Sequence, residues 1–407
     1  MTDDITLHVP TATDWDAIFE VATSAFNDEP DEAVSAAEAA IFEPERGLVA
    51  RRDGAIVGTA AVMTRQLSVP GGNVPAGHVT LVTVDASARR RGILRRFMHQ
   101  QFADMRAAGE PVAVLWASEG RIYQRFGYGL AVRRLSLKVD TREASLTVPD
   151  RTGRLRTGTP ADLRDTLVKV YDQVYSQRPG WSERLDRHWD YRLADLPSYR
   201  RGATAMRAVI HEGDTGVDGY ALWRTSSQWD ENGPNGEVRV LEHVATTPQA
   251  YAAIWRFLFT MDLTRSVQAW ACGLDEPLQF MVNEPRRLGA RATEALWLRV
   301  IDLPAALAAR RYATAVEAVF EITDDLLPQN SGRWRLTGSP AAAACAPTTE
   351  EPDLRCDIRS LAAAYLGGTP LTALAAGGLV DEVRPGALAQ VSTAFGWPQT
   401  PSAIEVF

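Results

Sequence analysis

Val79-Thr80-Leu81-Val82-Thr83-Val84-Asp85-Ala86-Ser87-Ala88-Arg89-Arg90-Arg91-Gly92-Ile93-Leu94-Arg95-Arg96-Phe97-Met98 couples an apolar run of strand length to an arginine-rich turn that opens a helix. Val79, Leu81, Val82 and Val84 read as a buried strand, and from Ile93 the spacing becomes helical, with Leu94, Phe97 and Met98 on one face. Gly92 lets the chain turn between them, and the free N–H groups of a helix starting there point at the turn, where an anion can approach. Arg89, Arg90 and Arg91 add fixed positive charge. The pattern suits a pyrophosphate, yet it is neither G-x-x-x-x-G-K-[ST] nor G-x-G-x-x-G. A basic helix start on a solvated surface is the plainer alternative.

About thirty residues on, Pro111 to Trp116 reads as a second buried strand, followed by Ala117-Ser118-Glu119-Gly120 and then Arg121-Ile122-Tyr123-Gln124-Arg125-Phe126-Gly127-Tyr128-Gly129. Together the two stretches resemble motifs A and B of the GNAT acetyltransferases, with Leu94 where motif A often has a small residue. The resemblance implies acetyl-coenzyme A as cosubstrate. Val82, Thr83 and Val84 would line its pantetheine arm; Arg89, Arg90, Arg91, Gly92 and Ile93 would hold its pyrophosphate; Ser118 would lie near the thioester. Tyr123, four residues before the Gly127-Tyr128 pair, would be the general acid. A phenol with a reference pKa near ~10 arrives protonated at neutral pH and can donate to a departing thiolate. The alternative for Tyr123 is an aromatic packed under the sheet.

The chain closes on Ser402-Ala403-Ile404-Glu405-Val406-Phe407, an apolar ending that suggests docking. With the two motifs and the chain length, it resembles the Eis family of acetyltransferases. The resemblance implies that the carboxylate of Phe407 is the general base and that Phe26, Asp28 and Glu405 lie on the substrate side. An α-carboxyl has a reference pKa of about 3.3 to 3.7, so it needs burial to become an efficient base. A terminus merely pinned in a groove is the alternative. Two departures bear on the substrate pocket: Val406 stands between the acidic residue and Phe407, and Trp116 replaces a histidine. The family's acceptors are primary amines of cationic small molecules such as aminoglycosides, acetylated at several sites. Polyamines and protein lysines are the competing acceptors, and a coenzyme-A-binding regulator or a lipid carrier the non-enzymatic readings. A homo-hexamer is also implied.

At 407 residues the chain suggests two or three domains, and 45% hydrophobic with 23% charged residues is a globular composition. No apolar run approaches the roughly 18 to 20 residues of a membrane span, and the start lacks a signal-peptide pattern, so a cytoplasmic protein is expected. Cys272, Cys345 and Cys356 form no C-x-x-C and leave an odd count. The six histidines show no metal-ligand spacing, so no metal is expected. A net charge of −8 does not suit a nucleic-acid binder. Without G-x-S-x-G or a recognisable nucleophilic cysteine, direct transfer is favoured over an acyl-enzyme.

The expected fold class is α/β (α+β): tandem GNAT domains with mixed central sheets, then a sterol-carrier-like α+β domain. The expected segments are 1–150, binding acetyl-coenzyme A; 151–295, without cofactor; and 296–407, delivering Phe407. In the first, Trp15 to Phe26 reads as a helix, Asp53-Gly54 and Pro70-Gly71-Gly72-Asn73 as hairpin turns, and Leu135 to Val139 as the strand that closes the sheet. In the second, Glu237 to Ala245 followed by the helix Pro248 to Met261 repeats the motif A pattern without its Arg and Gly. The third is rich in Ala/Leu helices around a few strands.

Overall fold

The structure, a computed structural model, describes residues 5–149 and 153–407. The expected boundary between 150 and 151 lies outside the described residues.

Two seven-stranded sheets carry the amino-terminal three-quarters of the chain, to Val300. The first contains β1 (Thr6–His8), β2 (Leu48–Arg52), β3 (Ala55–Val69), β4 (Gly72–Val84), β5 (Val112–Trp116) and β6 (Gly129–Leu130), with β16 (Leu296–Val300) inserted between β5 and β6. The second contains β7 (Arg133–Asp140), β8 (Arg154–Gly158), β9 (Arg207–Gly213), β10 (Gly216–Ser226), β13 (Gly236–Ala245), β14 (Thr264–Cys272) and β15 (Arg291–Glu294). β11 (Trp229–Asp230) and β12 (Gly233–Pro234) form a small separate ribbon.

One expectation is corrected here. Leu135 to Val139 does not close the first sheet; it lies within β7, between β15 and β14 of the second. The place beside β5 is taken by β16, which pairs along the whole of β5, from Leu296 opposite Trp116 to Val300 opposite Val112, and leaves β6 at the edge. The two sheets thereby exchange strands.

Strand alternation sends neighbours to opposite faces. Val49 packs with Trp15, Ile18 and Phe19 of helix α1 (Trp15–Phe26), while Ala50 packs with Ile93 and Phe97 of α3 (Ile93–Ala107). α2 (Glu32–Ala39), next in the chain after α1 and capped by Asp31, packs on the α1 side. Val112 and Val114 face the carboxy-terminal domain, whereas Ala113 and Leu115 face α3. That domain holds a five-stranded sheet of β17 (Val316–Thr323), β18 (Gly332–Gly338), β19 (Ala343–Pro347), β20 (Leu354–Asp357) and β21 (Val380–Glu382). Its core is continuous with the face of the first sheet that carries Leu67, Leu296 and Leu298. The contact is tight at Gly129, where a Cβ would fall 2.2 Å from the carbonyl oxygen of Arg359.

Candidate active site

β4 is paired with β5 only from Ala76 to His78, opposite Val112 to Val114. Beyond that point a bulge against β3 shifts the register, and Leu81 takes a left-handed conformation with φ 50°. Thr59 stabilises the irregularity by donating its hydroxyl to the Leu81 carbonyl at 2.6 Å. A bulge twists the strand carrying it, so β4 leaves β5 and a fork opens between Val82–Val84 and Ser118. Nothing about a leucine announces a positive φ, and the sequence reading missed this device.

The fork leads to the amino terminus of α3. Gly92 is its N-cap at φ 77° with no side-chain cap, so the first-turn N–H groups stay available to an anion. A Cβ at Gly92 would meet no protein atom within 4 Å; the glycine is required by its backbone angle, and the space beside it is open to a ligand. Arg90 also has positive φ, and Arg89 Nε donates to the Val84 carbonyl at 3.3 Å.

A cleft of about 820 Å³ follows this path. Of the expected donor-side residues, Val82, Thr83, Val84, Arg89, Arg90, Gly92, Ile93, Ser118 and Tyr123 line it, whereas the exposed Arg91 does not. Phe26 and Asn27, at the end of α1, and Leu326, from the carboxy-terminal domain, complete the wall. Asp28 is exposed outside it. Tyr123 ends the short helix α4 (Gly120–Tyr123) and packs edge-on against Tyr128 at 5.8 Å. Burial pushes its phenol up to about 12, which keeps the proton in place at neutral pH.

The carboxy-terminal segment passes between the sheets. Ser402 Oγ accepts from Arg178 Nε and Trp181 Nε1, Ile404 packs in the second sheet's core, and the ring of Phe407 stands on His78 at 4.7 Å. His78 donates from Nδ1 to the Ala76 carbonyl and accepts at Nε2 from Ser182; burial and the nearby Arg65 charge take it down to about 3, so it is neutral. Glu405, expected on the substrate side, is engaged instead by Arg65 and by Arg184, whose Nε lies 2.7 Å from Oε2. Burial alone would raise its carboxyl, but the two arginines hold it at about 2. Arg184 also grips Glu242 with both terminal nitrogens. These arginines are distant in sequence and carry no motif, so the clamp was not legible there. Trp116 sits beside Trp270 at 5.9 Å, with the Arg134 guanidinium over both rings.

The second sheet repeats the architecture without the anion site. β13 and β14 are parallel, and a bulge falls between Leu222 and Trp223 of β10, opposite Leu241. The following helix α5 (Pro248–Phe259) is closed by the Thr247 hydroxyl, which accepts from Ala250 N, and Pro248 removes another N–H. The Asp218 carboxylate accepts from the same hydroxyl, placing a negative charge where a phosphate would have to lie.

Comparison with known proteins agrees with this geometry. Residues 7–131 and 180–300 match acetyltransferase (GNAT) domain families, and residues 303–403 a sterol carrier protein domain. An uncharacterized N-acetyltransferase of Streptomyces coelicolor is 40% identical, covering 95% of this chain and 96% of its own. The N-acetyltransferase Eis of Mycobacterium tuberculosis is 34% identical, covering 91% and 92%. The crystal structure of Eis1 from Mycobacterium abscessus superposes with a TM-score of 0.86 at 30% identity, over 99% of this chain and 100% of that one.

Proposed function

Because the chain belongs to the Eis family of GNAT N-acetyltransferases, we propose that it transfers acetyl from acetyl-coenzyme A directly to primary amines of cationic small molecules, aminoglycosides first among them. The observation that carries this reading is the single cleft joining the uncapped start of α3, the open strand Val82–Val84 and the protonated Tyr123. Acetyl-coenzyme A supplies an activated acyl group and a thiolate leaving group. The α3 terminus with Arg89 and Arg90 binds the pyrophosphate, and the Val82–Val84 backbone orients the arm. Tyr123 holds a proton for the departing sulfur. The carboxylate of Phe407 takes the proton of the incoming ammonium, and the Phe407 ring, resting edge-on against the neutral His78 ring, anchors that end of the chain. Phe26 forms the outer wall, and Asp28 with its acidic neighbours attracts cations to the mouth. The homo-hexamer and the cytoplasmic location implied by the resemblance belong to this proposal; light scattering on the purified protein tests the assembly.

One observation favours a second acceptor class. Glu405, Glu242 and Glu43 are all paired with arginines, Glu43 with Arg187 at 2.6 Å. Few carboxylates near the segment remain for several ammonium groups at once, which suits an acceptor with one amine, such as a lysine side chain. Thiol release from acetyl-coenzyme A with an aminoglycoside, spermidine and a lysine peptide separates these acceptors. Turnover with none of them, despite coenzyme A binding, overturns the transferase reading.

A further inference from the structure

The bulged fork of the second sheet encloses a site of its own. β13 and β14 pair from Gly236 to Val240, against Thr264 to Ala269, and then separate. A cleft of about 260 Å³ opens there, with Trp181, Tyr251, Trp255 and Trp270 in its lining and Ser402 and Ile404 of the carboxy-terminal segment forming one side.

Its charges do not balance internally. Glu242 is taken by Arg184 and Arg192, and Asp275 by Arg178, which also donates to Ser402. Glu276, only 7% exposed, is left over: the one hydrogen bond to its carboxylate among the described residues is a long contact from the Leu278 amide at 3.5 Å. Burial raises its carboxyl to about 7, partly offset by that amide and by Arg178. Arg178, the nearby cation, is engaged by Asp275 and Ser402, and burial takes His243 down to about 3, leaving it neutral. Three further lining groups, His243 Nε2, Tyr251 Oη and Trp255 Nε1, are buried without a hydrogen-bond partner among the described residues. Trp255 is 1% exposed, so bulk water does not satisfy its N–H. Buried polar groups are ordinarily paired, and an isolated buried carboxylate is costly.

We propose that this fork binds a small organic cation bearing a hydroxyl or carbonyl oxygen. Glu276 and the aromatic rings receive the cation, and the Trp255 N–H and Tyr251 O–H donate to the oxygen. The assignment is independent of the acetyl-transfer reading, since it uses none of the residues of the first fork.

Choline is the probe, because its quaternary nitrogen cannot be acetylated, and its uncharged carbon isostere 3,3-dimethylbutan-1-ol is the control. Binding to the full chain is followed by calorimetry and by tryptophan fluorescence at about pH 8, where Glu276 is ionised. Choline is expected to bind saturably and at least about tenfold more tightly than the isostere. Glu276→Gln, which keeps the side-chain shape, weakens choline about tenfold or more without lowering the melting temperature, and Trp255→Phe weakens it by a smaller factor. Tyr123→Phe and saturating coenzyme A leave binding unchanged. Absence of saturable binding, equal binding of the isostere, wild-type affinity in Glu276→Gln, or competition with coenzyme A overturns the assignment.

Discussion

Arg184 Nε donates to Glu405 Oε2 at 2.7 Å, fastening the carboxy-terminal segment to the second sheet while the same guanidinium holds Glu242. The guanidinium also lies over the rings of Tyr171 and Trp189, at 4.1 and 4.8 Å. Removing it leaves two buried carboxylates facing each other without their shared cation. Arg184→Met is therefore expected to lower unfolding stability by about 3 to 5 kcal/mol, and Glu405→Gln by less, about 1 to 2 kcal/mol. Urea titration of both variants checks the order, and equal losses would contradict it.

The same cluster sets an acid limit. Burial opposes ionisation of Glu242 and Glu405, but the arginines win and hold both at about 2, below their ordinary value of about 4.5. The stability they contribute is thus complete above about 4.5 and is lost as pH falls toward about 2. Melting temperature measured down this range should fall more steeply in the wild type than in Glu405→Gln, which has one fewer carboxylate to protonate.

Gly180 tests whether placement of the segment matters for turnover. Its φ is +91°, and a Cβ there would lie 2.4 Å from the Ser402 carbonyl oxygen. Gly180→Ala must displace the segment that leads to Phe407. The expected result is a kcat reduced by about tenfold or more, with coenzyme A affinity unchanged because the first fork is untouched. Steady-state kinetics beside a direct binding measurement separates the two.

Part of this was legible in the chain. Trp15, Ile18, Phe19 and Ala22 have helical spacing, and α1 spans the expected Trp15–Phe26. The Asp53-Gly54 and Pro70-Gly71 turns lie between β2 and β3 and between β3 and β4 as expected, since their glycines take positive φ. The strand–turn–helix around Gly92 was readable because its signals are local. The exchange of β7 and β16 was not, because both strands carry apolar residues that suit either sheet, and partner choice is decided by contacts far apart in sequence. For the same reason Arg65 and Arg184 gave no sign that they converge on Glu405.

Gly92→Ala separates backbone geometry from space. With φ 77° and no protein atom near the added methyl, the cost is the left-handed conformation, about 1 to 2 kcal/mol, together with a methyl intruding on the bound pyrophosphate. Coenzyme A affinity should fall about tenfold or more, with the melting temperature lowered only slightly. Gly92→Asn, which tolerates positive φ, should recover the fold more fully than the affinity.

Tyr123→Phe removes the hydroxyl and keeps the ring that packs on Tyr128. Its kcat for thiol release should drop by roughly 10²- to 10⁴-fold, with coenzyme A affinity preserved. A variant as fast as wild type would return Tyr123 to a packing role.

Thiol release by the chain shortened by Phe407 alone, measured beside its affinity for coenzyme A, tests most plainly whether the Phe407 carboxylate is the base of the reaction. Turnover should fall by at least about 10²-fold with every accepted amine, with affinity and melting temperature close to wild type. Turnover at the wild-type rate without Phe407 would contradict it.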